Sequence, residues 1–378
     1  MTASPSPACP RRTARFAGRC VVLALVCTPL LAKNSGQTVK RPAAVAVASA
    51  ASSPAPYARR GEVALFAEQV AERNGLDADW VRATLAAARY QASVARLVMP
   101  PPAGTAKNWA AYRARFVEPR RIAAGVAFWR ANEATLARAE AEYGVPPEIV
   151  AGIIGVETLY GRHMGAYRAI DALATLAFDF PAGRKDRSAF FRDELEQLLV
   201  MCGVPRVGRG RCDPLTQQSS YAGAIGMPQF MPSSVNRFAV DFDGDGRIDL
   251  HDSRADVIGS VAHYLAEFGW KRGMPTHYAV AAPVDASRRA TLLVPDIVPS
   301  FSAERMAELG AELDADGRSH EGLLALVELQ NGDAAPSYVA GTDNFYVVTR
   351  YNWSSYYALA VIELGQAVRR QATAAERP

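Results

Sequence analysis

Apolar positions recur at helical spacing through most of the chain. Val63, Phe66, Ala67 and Val70 mark one face of GEVALFAEQVAERN (61–74), and Asn74-Gly75 supplies a stop. A second helix is expected after Asp77. A longer one is expected through 120–142, where Ile122, Val126, Trp129, Leu136 and Ala139 keep the rhythm. In GVPPEIVAGIIGVETLYG (144–161), Pro146 and Pro147 suit a first helical turn, and Gly161 suits a stop. Asp171 stands before the apolar run ALATLAF as an expected N-cap, and a further helix is expected over 256–268. Between about 275 and 350 the texture changes to short β-rich runs (HYAVAAPV, ATLLVPDIV, GLLALVEL, SYVA, NFYVVTRY) separated by Gly, Pro, Asp and Asn. A closing helix is expected at 354–369. No period of 20–50 residues recurs, which argues against a solenoid. The pattern predicts a mainly α (α+β) protein with a small β-rich appendage.

Charge divides the chain differently. Residues 1–56 contain no Asp or Glu and hold seven of the 42 Lys and Arg, so the rest carries 35 basic against 38 acidic residues. The overall balance of +4 therefore describes a leader, and the absence of a basic surplus in the rest excludes a nucleic-acid binder. Arg11 to Arg19 followed by VVLALVCTPLLA has the basic and apolar regions of a secretory signal, and twelve apolar-rich residues are too few to span a bilayer. Residues 1–32 are read as a signal peptide and 33–56, rich in Ala, Val, Ser and Pro, as a flexible tether. The expected location is the periplasm. Cys27 raises a lipid anchor, the one route to the membrane, but Val26 before it is too large for a lipobox, so an anchor is not favoured. Cys202 and Cys212 alone lie beyond the leader. They can close a loop in an oxidising compartment or remain two free thiols.

Two segments carry candidate chemistry. Ile149, Ile153, Val156 and Tyr160 form an apolar stripe, and Glu157 lies on or beside it. Desolvation there raises a carboxyl pKa, as an acid that must hold its proton near neutral pH requires. Considered alone, a surface-facing glutamate is the commoner outcome. The second segment, SYAGAIGMPQFMPSS (220–234), is Gly-rich and uncharged. Small residues let a polymer approach the backbone, and Gln229 among Met227, Phe230 and Met231 can fix a sugar hydroxyl or acetamido group. DFDGDGRIDLHD (241–252) is a third signal. Asp241, Asp243 and Asp245 take positions 1, 3 and 5 of a calcium loop, Gly246 the sharp turn, and Arg247 the position that offers a carbonyl. Asp252 stands where a bidentate Glu is usual; if its shorter arm fails to reach, Asp256 can complete the shell.

Glu157-Thr158 after an apolar helix, then Gly223-Ala224-Ile225-Gly226-Met227-Pro228-Gln229-Phe230-Met231-Pro232-Ser233-Ser234, then Thr349-Arg350-Tyr351-Asn352, resembles the membrane-bound lytic transglycosylase B family from about residue 60 to 370. The resemblance implies a lysozyme-like catalytic core (about 146–272, with the calcium loop at 241–256), a helical part (about 57–145) and a β-rich part (about 273–350). It implies cleavage of peptidoglycan glycan strands, with Glu157 first protonating the glycosidic oxygen and then withdrawing a proton from the C6 hydroxyl of the muramyl sugar. Because the substrate supplies its own nucleophile, a second carboxylate is not required. Carried over by position, the substrate contacts fall on Ser220, Gln229, Tyr351, Asn352, Tyr357 and Arg187, although the extra Gly-Arg-Lys stretch before Asp186 shifts the alignment at Arg187. Tyr351 and Tyr357 are candidates for stacking on sugar faces. The family also carries a calcium site, here expected to be structural; the chemistry needs no cofactor. Glycan strands are the expected partner, with cell-wall synthesis or divisome proteins as further candidates. The competing readings are a non-catalytic peptidoglycan binder and a muramidase that uses water. A single loop with no paired hand disfavours a calcium sensor, and five scattered His without HExxH spacing disfavour zinc chemistry.

Overall fold

The computed structural model describes residues 55–100, 107–204 and 212–374; the expected leader and nearly all of the tether lie outside them. After a 3₁₀ turn at Tyr57–Arg59 come α1 (Gly61–Asn74), α2 (Ala78–Ala86), α3 (Ala92–Leu97), α4 (Trp109–Phe116), α5 (Pro119–Ala131) and α6 (Glu133–Tyr143). The middle of the chain forms α7 (Pro147–Thr158), β1 (Tyr167–Arg168), α8 (Ala169–Phe178), α9 (Ser188–Gly203), β2 (Gln218–Ser219), α10 (Pro232–Phe238) and α11 (Arg254–Glu267). The remainder is β3 (His277–Ala281), α12 (Ala286–Leu293), α13 (Ala303–Glu308), β4 (Glu312–Leu313), α14 (Ala315–Arg318), β5 (Ala325–Asn331), β6 (Ala334–Gly341), α15 (Asp343–Thr349) and α16 (Ser355–Ala374). β1 pairs with β2, and the other four strands form an antiparallel sheet in the order β4-β3-β6-β5, with Val327 opposite Val339.

Local chemistry sets these boundaries. Gly75 adopts a left-handed φ of 62° to end α1, and the Asp77 side chain accepts from Trp80 N to start α2. The run expected as one helix over 120–142 is two. Asn132 leaves helical geometry at φ −130° and turns its side chain back onto Phe128 O, as an Asn that competes for backbone groups does. Two runs expected to be strands are not: ATLLVPDIV ends α12 and continues as a turn, and NFYVVTRY lies in α15 up to Thr349. Asp285 caps Arg288 N ahead of ATLLVPDIV, and Thr342 caps Asn344 N ahead of NFYVVTRY. Short apolar runs do not reveal their period, and the caps decide. Asp171 lies inside the first turn of α8 rather than at its N-cap. It pairs with Arg168 and accepts from Arg89 N, fastening α8 to the segment after α2.

One hydrophobic core runs from α1 to α16, and a smaller one under the sheet gathers Leu292, Met306, Leu313, Leu324 and Leu326. α7 and α16 approach most closely. A Cβ on Gly152 would lie 2.3 Å from Val361 O, and one on Gly365 would lie 1.9 Å from Glu148 O. Only glycine lets the two backbones meet this way. Cys202 and Cys212 are joined in a disulfide with Cα atoms 4.6 Å apart.

Candidate active site

The close α7–α16 pair sets a carboxyl against a phenol. Glu157, in the last turn of an otherwise almost wholly buried helix, receives a 2.6 Å hydrogen bond at Oε1 from the Tyr357 hydroxyl. Burial pushes the Glu157 carboxyl up to about 7, and the bond from Tyr357 pulls the other way because it favours the ionised form. The chain then turns sharply: Leu159 and Tyr160 hold φ values of 52° and 57°. Two consecutive non-glycine residues in this region cost on the order of 1–3 kcal/mol each, so the surrounding packing must impose them. Part of that constraint is Thr158, whose Oγ1 donates to Met227 O at 3.0 Å and accepts from Gly161 N, tying α7 to the Gly-rich loop.

That loop is closed by an antiparallel bridge between Ile225 and Phe230 and by Met227 N bonding to Leu250 O. Gln229 is buried at φ 52°. Its amide nitrogen donates to Gly226 O at 2.8 Å and Met164 O at 3.2 Å, while Oε1 is buried without a donor among the described residues. A buried acceptor of this kind is costly unless a ligand donor reaches it. Ser220 Oγ accepts from Ala224 N at 3.1 Å and retains its own proton to donate.

The remaining candidates have distinct places. Tyr351 and Tyr357, 2% and 1% exposed, lie parallel with centroids 6.3 Å apart. So deeply buried, they present little ring face to a sugar. Their hydroxyls act instead, that of Tyr351 donating to Pro228 O at 2.5 Å and that of Tyr357 donating to Glu157. Asn352 follows directly, 6% exposed. Arg187 occupies the position before α9, its guanidinium carbon 4.5 Å from the Phe190 ring centroid, and burial lowers its pKa. Two residues of the site escaped sequence reasoning. Tyr112 on α4 is pushed up first by burial and then by the charge of Glu157, and Tyr264 on α11 lies 4.8 Å from Tyr351. The signal for Tyr112 was present in Trp109, Tyr112 and Phe116, an aromatic face at helical spacing. Asp171 and Asp179, the carboxylates nearest in sequence, are both engaged elsewhere, with Arg168 and Arg60 respectively.

The acidic loop folds around Asp241, whose carboxylate accepts from Gly244 N, Asp245 N and Gly246 N. Oxygens of Asp241, Asp243 and Asp256 lie within 4.8 Å of one another. Asp252 is exposed and outside this trio, as is Asp245, and Arg247 bonds through its amide to Asp245. Asp256 is buried and accepts from both Phe242 N and Asp249 N, so it closes the loop against α11.

Comparison with known proteins shows the family. Residues 58–366 match the transglycosylase SLT domain. The chain belongs to that family. It is 39% identical over 320 residues to membrane-bound lytic murein transglycosylase B of Escherichia coli K12, covering 82% of this chain and 84% of the relative. Among solved structures it is similar to E. coli Slt35 in complex with calcium, with a TM-score of 0.68 and 37% identity over 84% of this chain and 94% of the other. It is also similar to SltB3 of Pseudomonas aeruginosa in complex with NAG-anhNAM-pentapeptide, with a TM-score of 0.67 and 27% identity over 82% and 79%. The protein is a lytic transglycosylase acting on peptidoglycan, built on a mainly helical, lysozyme-like fold with small antiparallel sheets.

In such a site the Tyr357 bond makes a prediction with a defined sign. Removing a hydrogen bond that favours the carboxylate raises its pKa further. Tyr357→Phe should therefore move the alkaline limb of kcat/KM up by about one pH unit while lowering its maximum. A limb that stays in place, or moves down, would show that the hydroxyl does not set the acid.

Proposed function

We propose that this enzyme cleaves the β-1,4 bond between N-acetylmuramic acid and N-acetylglucosamine by intramolecular transfer, leaving a 1,6-anhydro end. The supporting observation is one half-buried carboxyl, raised to about 7 by desolvation, whose hydrogen-bond partner is a tyrosine instead of a second acid. Glu157 gives its proton to the glycosidic oxygen as the C1–O bond breaks. The C6 hydroxyl of the muramyl sugar then attacks C1 and returns a proton to the Glu157 carboxylate, so no water is consumed. Both steps want an acid that is protonated at rest yet ionises readily, which a pKa near the working pH provides. Gln229 Oε1 and the Ser220 hydroxyl offer an acceptor and a donor for sugar hydroxyl or acetamido groups, and Asn352 directly follows Tyr351, whose hydroxyl bonds to Pro228 O. The glycan ligand of SltB3 carries an anhydro sugar, which supports this reading. Digestion of purified sacculi followed by mass spectrometry tests it. Products one water lighter than hydrolytic muropeptides are expected, and hydrated products would make the enzyme a muramidase. A peptidoglycan substrate supports a periplasmic location, in keeping with the signal expected at residues 1–32; among the described residues no helix is long and apolar enough to cross a membrane.

The reading includes calcium at the acidic loop. Three carboxylates drawn this close repel unless a cation neutralises them, and Slt35 has been solved with calcium. Asp241, Asp243 and Asp256 are the residues that would hold the ion, which would anchor the start of α11. Calcium at a hundred times its dissociation constant should stabilise the fold by about 2.7 kcal/mol, read as a rise of several degrees in melting temperature. Chelation should reverse that rise and Asp241→Asn should abolish it. A melting temperature indifferent to calcium and chelator would overturn the assignment.

A further inference from the structure

A row of rings leads outward from Glu157. Tyr357 lies parallel to Tyr351, Tyr351 meets Tyr264 at 4.8 Å, and Tyr264 meets Phe268 at 4.6 Å between centroids. The Arg350 guanidinium continues the row, its carbon 5.4 Å from the centroid of Phe268 and 4.7 Å from that of Trp353. Tyr346 meets Trp353 edge-on at 6.0 Å and 79°. The row begins buried and reaches solvent at Trp353, 38% exposed and one residue beyond Asn352; it is the one exposed tryptophan of the five in the chain. The arginine over the ring and the tyrosine ring set nearly at right angles to it hold this indole from the protein side. Its remaining surface is thus presented in a fixed orientation, one residue along the chain from Asn352, and little side-chain entropy is lost when a ligand covers it.

Resting on the reaction proposed above, we propose that Trp353 is a stacking platform for a pyranose ring of the glycan strand, beyond the two sugars that flank the cleaved bond. The apolar C–H face of a pyranose matches an indole face, and its equatorial hydroxyls stay in water at the rim. A strand of alternating sugars running out of the cleft would bring such a face to this end of the row. The residue would then govern how firmly long strands are held, not how the bond is broken.

The test uses peptide-free glycan tetrasaccharides and octasaccharides with the wild type, Trp353→Ala and Trp353→Phe. Binding of the octasaccharide to Glu157→Gln and to Glu157→Gln with Trp353→Ala is measured by calorimetry. Loss of one aromatic stacking contact should weaken octasaccharide binding about tenfold and lower kcat/KM on the octasaccharide by the same factor, through KM. The loss on the tetrasaccharide should be smaller, and Trp353→Phe should keep most of the affinity. Equal losses at both lengths, a loss confined to kcat, or unchanged calorimetric affinity would overturn the proposal. Should the wild type fail to cut either strand, the proposed reaction falls, and the calorimetric comparison alone decides the role of Trp353.

Discussion

Glu157→Gln is expected to lower the rate of anhydro-muropeptide release from sacculi by about 10³-fold and, at the same time, to make the protein more stable at alkaline pH. Both effects follow from the half-buried, desolvated position of the carboxyl. Glutamine keeps the shape and can still accept the Tyr357 hydroxyl, but it has no proton to give the glycosidic oxygen. The stability effect has a definite pH window. Burial raises the folded-state pKa from 4.5 to about 7, so between those values the folded state binds more protons than the unfolded chain. Stability contributed at low pH is therefore lost as pH rises through that window. Above it, the wild type carries a penalty of about 3 kcal/mol that glutamine does not. Thermal melts of the two proteins should nearly coincide at pH 5 and separate by pH 8, with the variant higher. Retained activity in the variant would remove Glu157 from the reaction. A gap that is constant with pH would mean that the carboxyl is not held in its neutral form.

The extent to which the sequence disclosed this site depended on the kind of signal. Capped amphipathic segments such as 61–74, with Asn74-Gly75 at the end, and the Pro-initiated helix carrying Glu157 were legible because their stop and start residues act locally. The stretches around Leu292 and Phe345 were misread as strands, since a short apolar run suits either state and one capping side chain tips it. Within the site, Glu157, Gln229, Tyr351, Asn352 and Tyr357 stood in recognisable segments, yet their division of labour did not. That Tyr357 bonds the acid while Tyr351 fastens Pro228 depends on how α16 and the preceding turn lie against α7. Tyr112 was missed because it comes from α4, far away in the chain, and becomes part of the site only when α4 packs against α16. Asp256 over Asp252 is likewise a matter of distance, set by where α11 begins.

Alanine at Gly152 or Gly365 should be among the most damaging single-methyl changes in this fold, with consequences that differ by position. The antiparallel helices meet in a ladder one turn apart: Gly365 against Glu148, Val361 against Gly152, and Tyr357 against Glu157. In an exposed helix, Gly→Ala gains about 1 kcal/mol from propensity. Here the added methyl meets a backbone carbonyl oxygen at 1.9 or 2.3 Å, and no rotamer can relieve a clash with backbone. The helices must separate, pulling apart the apolar faces of α7 and α16, and a loss of about 3 kcal/mol or more is expected. Separation also stretches the 2.6 Å bond between Tyr357 and Glu157, and a displacement near 1 Å at a reacting group lowers rate by about 10²-fold. Gly152→Ala inserts its wedge one turn from that bond, whereas Gly365→Ala does so two turns away. Both variants should melt earlier to a similar degree, but Gly152→Ala should lose more activity per folded molecule and shift the pH limb set by Glu157. If the two melt like the wild type, the close approach of α7 and α16 is not what holds the acid in place. If both lose stability while the folded fraction keeps full activity and an unmoved pH limb, the ladder supports the fold and leaves the acid to its own loop contacts through Thr158.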